Sequence, residues 1–341
     1  MLTREKVVEL KPGYQLKPVG MGDLDAVLST IHAFSLATMG FKEMTRAELE
    51  SFWQTPGLNM ADDLRVVVDP LGKVAGYIEV LTFTKPAVHP YLWISVHPDY
   101  IASNVSEVLL DWAIDRAEAV METLPQELRV SIHMHNIGSF KPWERLFASK
   151  GFGLTRHSFI MNRDISEMPP QVQWPSGITL RPFDPGLHAA AVFRANDEAF
   201  EDHFGHIKQP FEQGFALFKH WLEEPSFDPS LWFIAMDGEE VAGVSLCRIK
   251  EDEEPELGWV GDLSVRRPWR KRGLGMALLL HSFGEFYHRG YKKVGLGVDA
   301  SNLTGALRLY QSAGMYVKRQ FDRYEKELRP GKELMTIEVK E

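Results

Sequence analysis

Between positions 263 and 277 the chain reads Leu263-Ser264-Val265-Arg-Arg-Pro-Trp-Arg270-Lys271-Arg272-Gly273-Leu274-Gly275-Met276-Ala277. The short apolar run at its start has the character of a strand end. Two glycines one residue apart follow, and Met276-Ala-Leu-Leu-Leu-His-Ser-Phe283 opens a helical pattern. Such a succession makes an anion cradle. Glycines let backbone approach a ligand closely, and the first amides of a helix carry unpaired N–H groups at the positive end of its dipole. Arg270, Lys271 and Arg272 add formal positive charge beside those amides. The chemistry suits a diphosphate.

Two other phosphate-binding patterns do not fit. A P-loop needs Gly-x-x-x-x-Gly-Lys-Ser/Thr, and no such string follows; a dinucleotide fingerprint needs glycine where Leu278 stands. Downstream, Val294-Gly-Leu-Gly-Val298-Asp-Ala-Ser reads as a second strand. It is followed by Asn302 and by Ala306-Leu-Arg-Leu-Tyr310-Gln-Ser-Ala-Gly314-Met315. The phenol of Tyr310 has a proton it can donate in general acid catalysis.

Together, Arg270-x-x-Gly273-x-Gly275 and the strand, Asn302, Leu309-Tyr310, Gly314 order resemble the GNAT superfamily of acetyl-CoA-dependent N-acyltransferases. The resemblance implies that residues 263–265 and 270–276, with Asn302 and Tyr310, bind acetyl-CoA. It implies that Asn302 lies near the pantetheine arm and Tyr310 near the sulfur, where it would act as the acid. It also implies that backbone of Leu263, Ser264 and Val265 polarises the thioester carbonyl. The spacing from Asn302 to Tyr310 is one residue longer than is commonest in the family, and Met315 stands in place of the usual Phe. Asp262, three before Val265, is the first choice for the base, since many members carry an acid on this strand. Glu256, the segment from Glu198 to His206, and a water chain are alternatives. Glu201, Asp202 and His203 lie where the family puts its acceptor-binding helices, and His203 could titrate near neutral pH.

At 341 residues, two domains are expected. No apolar run has transmembrane length, and the opening residues do not read as a signal peptide. The single cysteine, Cys247, excludes an internal disulfide framework and sits in a strand-like run that favours burial over nucleophilic chemistry. No Cys/His cluster has zinc spacing. The expectation is a cytoplasmic protein without a metal. A formal net charge of −9 argues against a nucleic-acid partner and is compatible with an amine substrate. The acidic run Glu251-Asp-Glu-Glu-Pro-Glu256 reads as a solvated hairpin connection.

These elements are framed by a duplication. Gly13-Tyr-Gln-Leu-Lys-Pro18 returns as Gly177-Ile-Thr-Leu-Arg-Pro182, and Val74-Ala-Gly76 as Val241-Ala-Gly243. Ile94-Ser-Val96 returns as Leu263-Ser-Val265, and Leu146-Phe147 through Gly151-Phe152 as Leu309-Tyr310 through Gly314-Met315. The offsets stay between 163 and 169. The copies differ where the chemistry lies. Ile101-Ala-Ser-Asn104-Val-Ser106 replaces the glycine loop, Phe147 replaces Tyr310, and Asn136 is displaced from its aromatic partner. The first copy reads as a retained fold with a decayed acyl-CoA site.

The expected organisation is α/β: a degenerate domain over residues 1–167, a Pro-rich linker at 168–176 and a catalytic domain over 177–341. Alternating strands and helices with early hairpins give mixed sheets. The resemblance supplies the GNAT topology, a mostly antiparallel sheet flanked by helices that splays beside the loop strand. A tandem chain with an active second copy also resembles the mycothiol synthases in architecture. The expected activity is direct transfer of an acetyl group to a primary amine on a small molecule or peptide. A non-catalytic acyl-CoA sensor and a transferase of another acyl group are the alternatives. No membrane or nucleic-acid partner is expected.

Overall fold

The computed structural model describes residues 9–224, 226–250, 254–301 and 305–337. The strands are β1 (Gln15–Pro18), β2 (Leu64–Val68), β3 (Val74–Leu81), β4 (Tyr91–Val96), β5 (Val130–Ile137), β6 (Gly153–Asp164), β7 (Ile178–Pro182), β8 (Trp232–Asp237), β9 (Glu240–Ile249), β10 (Leu257–Val265), β11 (Lys293–Asp299) and β12 (Tyr316–Arg329). The helices are α1 (Leu24–Met39), α2 (Arg46–Trp53), α3 (Met60–Asp63), α4 (Val105–Met121), α5 (Lys141–Ser149), α6 (Pro185–Phe200), α7 (Phe211–Trp221), α8 (Leu274–His288) and α9 (Ala306–Ser312). None of the described helices is long and apolar enough to cross a membrane.

The chain divides into two compact units whose borders differ from the sequence repeat. Unit 1 holds Met1–Arg156 and Phe321–Leu334; unit 2 holds His157–Gln320 and Met335–Glu341. Most of β6 therefore belongs with the second copy, where it runs antiparallel to β11. Most of β12 belongs with the first copy, antiparallel to β5. Each copy receives its closing strand from the other half of the chain. The Pro-rich stretch 168–176 lies inside unit 2, where the Trp174 ring meets His281 at 5.8 Å.

In unit 2 the strand order is β7-β8-β9-β10-β11-β6. All neighbours are antiparallel except β10 and β11. That one parallel pair needs a crossover, which α8 supplies. Leu278, Leu279, Phe283 and Phe286 of α8 pack on Val260, Val294 and Leu296. On the opposite face Val192 of α6 and Phe218 of α7 cover Trp232, Ile234, Val244 and Leu246. Cys247 is buried within β9, and burial pushes its thiol up to about 11.

Unit 1 repeats the plan, with order β1-β2-β3-β4-β5-β12 and one parallel pair, β4 with β5. Helix α4 packs Val105 and Leu109 against Gly76 of β3, where a side-chain Cβ would meet both within 2.9 Å.

Candidate active site

The site grows from one irregularity in β10. Val260 pairs with Cys247 of β9 and Asp262 with Leu246, so Gly261 is an extra residue, a bulge. Parallel pairing with β11 stops at the same place, its last partners being Val260 and Leu296. Beyond it, residues 262–265 pair with β9 alone. The two parallel strands part, and a cavity of about 740 Å3 opens between them.

One wall is the end of β10 with Asp262, Leu263, Ser264 and Val265; the facing wall is Gly297 and Asp299 of β11 with Leu309 and Tyr310 of α9. The floor is the glycine loop. Lys271 and Gly273 both adopt positive φ, 60° and 84°, a conformation that suits glycine and strains lysine. Gly273 caps α8 without a side-chain partner, so the amides of Leu274, Gly275 and Met276 are open to a ligand. A Cβ on Gly275 would meet Leu309 and Val265 no closer than 3.4 Å. Packing alone does not demand glycine there; close approach of a ligand would.

Arg270 borders the cavity, but its guanidinium is engaged within the protein. Nε donates to the Val265 carbonyl at 2.9 Å, Nη2 to the Ala199 carbonyl at 2.9 Å and Nη1 to Asp202 at 2.5 Å. Arg267 also donates to Asp202, at 2.5 and 2.9 Å. These hydrogen bonds, those of Arg267 first, hold the Asp202 carboxyl down to about 2 despite burial. Asp202 thus ties the end of α6 to the loop and is a poor proton acceptor. Lys271 remains as a cation on the cavity wall. Arg272 turns toward the Ser176 carbonyl, 3.3 Å away, and Glu201 toward Lys208, 3.2 Å away. His203 lines the cavity against the Phe200 ring, its pKa lowered by burial and then by Arg270. Asn302 lies outside the described residues.

Asp262 and Tyr310 both line the cavity. Burial raises the Asp262 pKa, opposed by a hydrogen bond and by the charge of Arg248. The hydrogen bond comes from Asn196 of α6, whose Nδ2 donates to Oδ2 at 2.8 Å. Burial, then the charge of Asp262, pushes Tyr310 up to about 12. At neutral pH the phenol keeps its proton and the buried carboxyl is shifted toward a useful base. Sequence reasoning missed Asn196 and the Gly261 bulge. A glycine inside a strand pattern was a signal for the bulge; no local signal marked Asn196, sixty-six residues away from its partner.

The matching region of unit 1 keeps a cavity of about 20 Å3, lined by Phe34, Ile94, Ile137 and Trp143. Phe147 is completely buried, its ring 5.3 Å from Tyr324. Trp143 stacks on Phe34 at 4.4 Å, and Phe140 meets both. Asn136 donates to the Phe140 carbonyl at 2.9 Å, and Asn104 donates to the Glu9 carbonyl.

Known proteins resemble this chain over most of its length. Residues 191–315 match the acetyltransferase (GNAT) family. A mycothiol acetyltransferase of Thermobispora bispora is 30% identical over 68% of this chain and 74% of its own length. One from Saccharopolyspora erythraea is 30% identical over 72% and 80%. The chain belongs to the GNAT family. A crystallised GCN5-related N-acetyltransferase from Sphaerobacter thermophilus is 31% identical, with TM-score 0.78 over 96% of this chain and 99% of that one. A tandem GNAT protein from the clavulanic acid biosynthesis pathway, 15% identical with TM-score 0.69, shares the fold. The fold expected from sequence is thus found, and the chain is an N-acetyltransferase of tandem GNAT type.

Proposed function

We propose that unit 2 binds acetyl-CoA and transfers its acetyl group directly to a primary amine, while unit 1 keeps the fold without a working acyl-CoA site. One observation carries the reading. A single cavity joins the open amides of α8 to the pair Asp262 and Tyr310, through the gap left where β10 and β11 part.

The residues fit the cosubstrate. The Leu274, Gly275 and Met276 amides with Lys271 would hold its diphosphate. Backbone at 263–265, which pairs with β9 on one side and has no β11 partner on the other, would receive the pantetheine arm. Acetyl-CoA supplies an activated thioester. Asp262, oriented by Asn196, takes the proton from the attacking nitrogen, and Tyr310 gives its proton to the leaving sulfur. In unit 1, Ile101, Asn104 and Ser106 offer no glycine cradle, and Phe147 has no proton to give. The name of the mycothiol acetyltransferase relatives supports a small-molecule amine as acceptor, in the cytoplasmic setting expected from composition.

The test is CoA release with a panel of amines, in wild type and Tyr310→Phe. The variant should lose roughly 10²–10⁴-fold in kcat with little change in acetyl-CoA affinity. Tight acetyl-CoA binding with no amine-dependent release would make the chain a sensor and overturn the proposal.

A further inference from the structure

Asp262 borders two cavities. Beside the cofactor cavity, a second one of about 310 Å3 shares Gly261 and Asp262 with it and runs along the face of the unit 2 sheet that α6 and α7 cover. Its walls are aromatic: Trp221 at the end of α7, Phe227, Trp232 at the start of β8 and Trp259 on β10. The strand register explains the shape. Trp232 pairs with Leu246, and Leu246 pairs with Asp262, so the three form one row across β8, β9 and β10. Two strand spacings, about 10 Å, separate the backbone positions of Trp232 and Asp262.

The wall is rigid on one side and open on the other. Trp232 is held by Phe227 at 5.1 Å and by Phe183 at 4.8 Å. Trp221 is 48% exposed at the rim. Charge is also graded. Glu224 joins Asp262 as a second acid, while Arg248 lines the cavity beside Trp259, over whose ring Lys250 already sits at 4.4 Å. One amine is favoured at Asp262; a second cation toward Trp259 is repelled.

We propose that this cavity is the acceptor pocket, and that it selects a primary monoamine carried on a ring, nitrogen at Asp262 and ring against Trp232 and Trp221. Aromatic walls favour flat or CH-rich rings over flexible chains. The inference rests on unit 2 being the transferring unit.

The experiment uses the full chain and four probes: 2-phenylethylamine and glucosamine as ring amines, n-butylamine and spermidine without a ring. Ring amines should show kcat/KM about tenfold or more above the others, the discrimination an apolar wall supplies. Trp221→Ala should raise KM for ring amines about tenfold with kcat and acetyl-CoA affinity unchanged, and Trp221→Phe should restore it. Better turnover of 2-phenylethylamine than of glucosamine assigns an aryl ring, and the reverse a sugar. Calorimetry of 2-phenylethylamine with the CoA-loaded protein separates the two readings. Binding that Trp221→Ala abolishes, without turnover, keeps the pocket and overturns the transfer reading. Turnover indifferent to ring structure and to Trp221 keeps transfer and overturns the pocket.

Discussion

Asn196 Nδ2 stands 2.8 Å from Asp262 Oδ2, joining α6 to the bulged strand β10. The donor favours the ionised carboxylate in a place where burial disfavours it. Position and proton affinity of this carboxylate, the proposed base, are therefore set by a residue from another element. Asn196→Ala removes the opposing interaction, so the Asp262 pKa should rise further. The acid limb of the kcat/KM profile should move to higher pH, with acetyl-CoA affinity unchanged. An unmoved limb would assign the base elsewhere.

Asp262→Asn should lower kcat/KM by roughly 10²–10⁴-fold and at the same time stabilise the fold at neutral pH. The sign follows from the raised native pKa. Such a carboxyl gives its full contribution below its unfolded-state pKa and loses it as pH rises through the native one. Thermal melts should show the variant above wild type at pH 7, with the gap closing as pH falls toward the ordinary carboxylate value. A variant less stable at pH 7 would contradict this.

Asp202 has the opposite sign. Its carboxyl is held at about 2 against an ordinary 3.8 by Arg267 and Arg270. The contribution is present above the ordinary value and is lost as pH falls toward 2. Asp202→Asn should cost about 2 kcal/mol at pH 7, the scale of charge-assisted hydrogen bonds. Urea denaturation should show that difference shrinking between pH 4 and pH 2. Because Asp202 also positions the loop, acetyl-CoA affinity should fall as well.

Calorimetric titration should find one acetyl-CoA per chain. Gly273→Glu should abolish that binding while near-native circular dichroism is retained, since a carboxylate would meet the diphosphate and a β-carbon would strain a φ of 84°. Two equivalent sites, or a folded variant with wild-type affinity, would overturn the assignment.

The loop at 270–276 and Tyr310 were legible in the sequence because their signal is local: glycines beside cations at a strand-to-helix step, and an aromatic at a fixed distance downstream. Arg270 shows where local reading ends. Its charge suggested a phosphate contact, yet its partner Asp202 is set by tertiary structure sixty-eight residues away. Asn196 was hidden for the same reason. The duplication was visible as matched strings, but the exchange of closing strands was not. Both β6 and β12 follow the same kind of helix and turn, and which neighbour each joins depends on long-range pairing.

That exchange bears on how the chain comes into being. During synthesis the first copy emerges without the strand that completes its sheet, because residues 321–334 are made last. Until then the edge of β5 is without its mate, a state that invites wrong pairing. The second copy, by contrast, finds β6 already made. A gene cut at the Pro-rich stretch would encode neither fold whole, so neither copy can be discarded without costing the other part of its sheet.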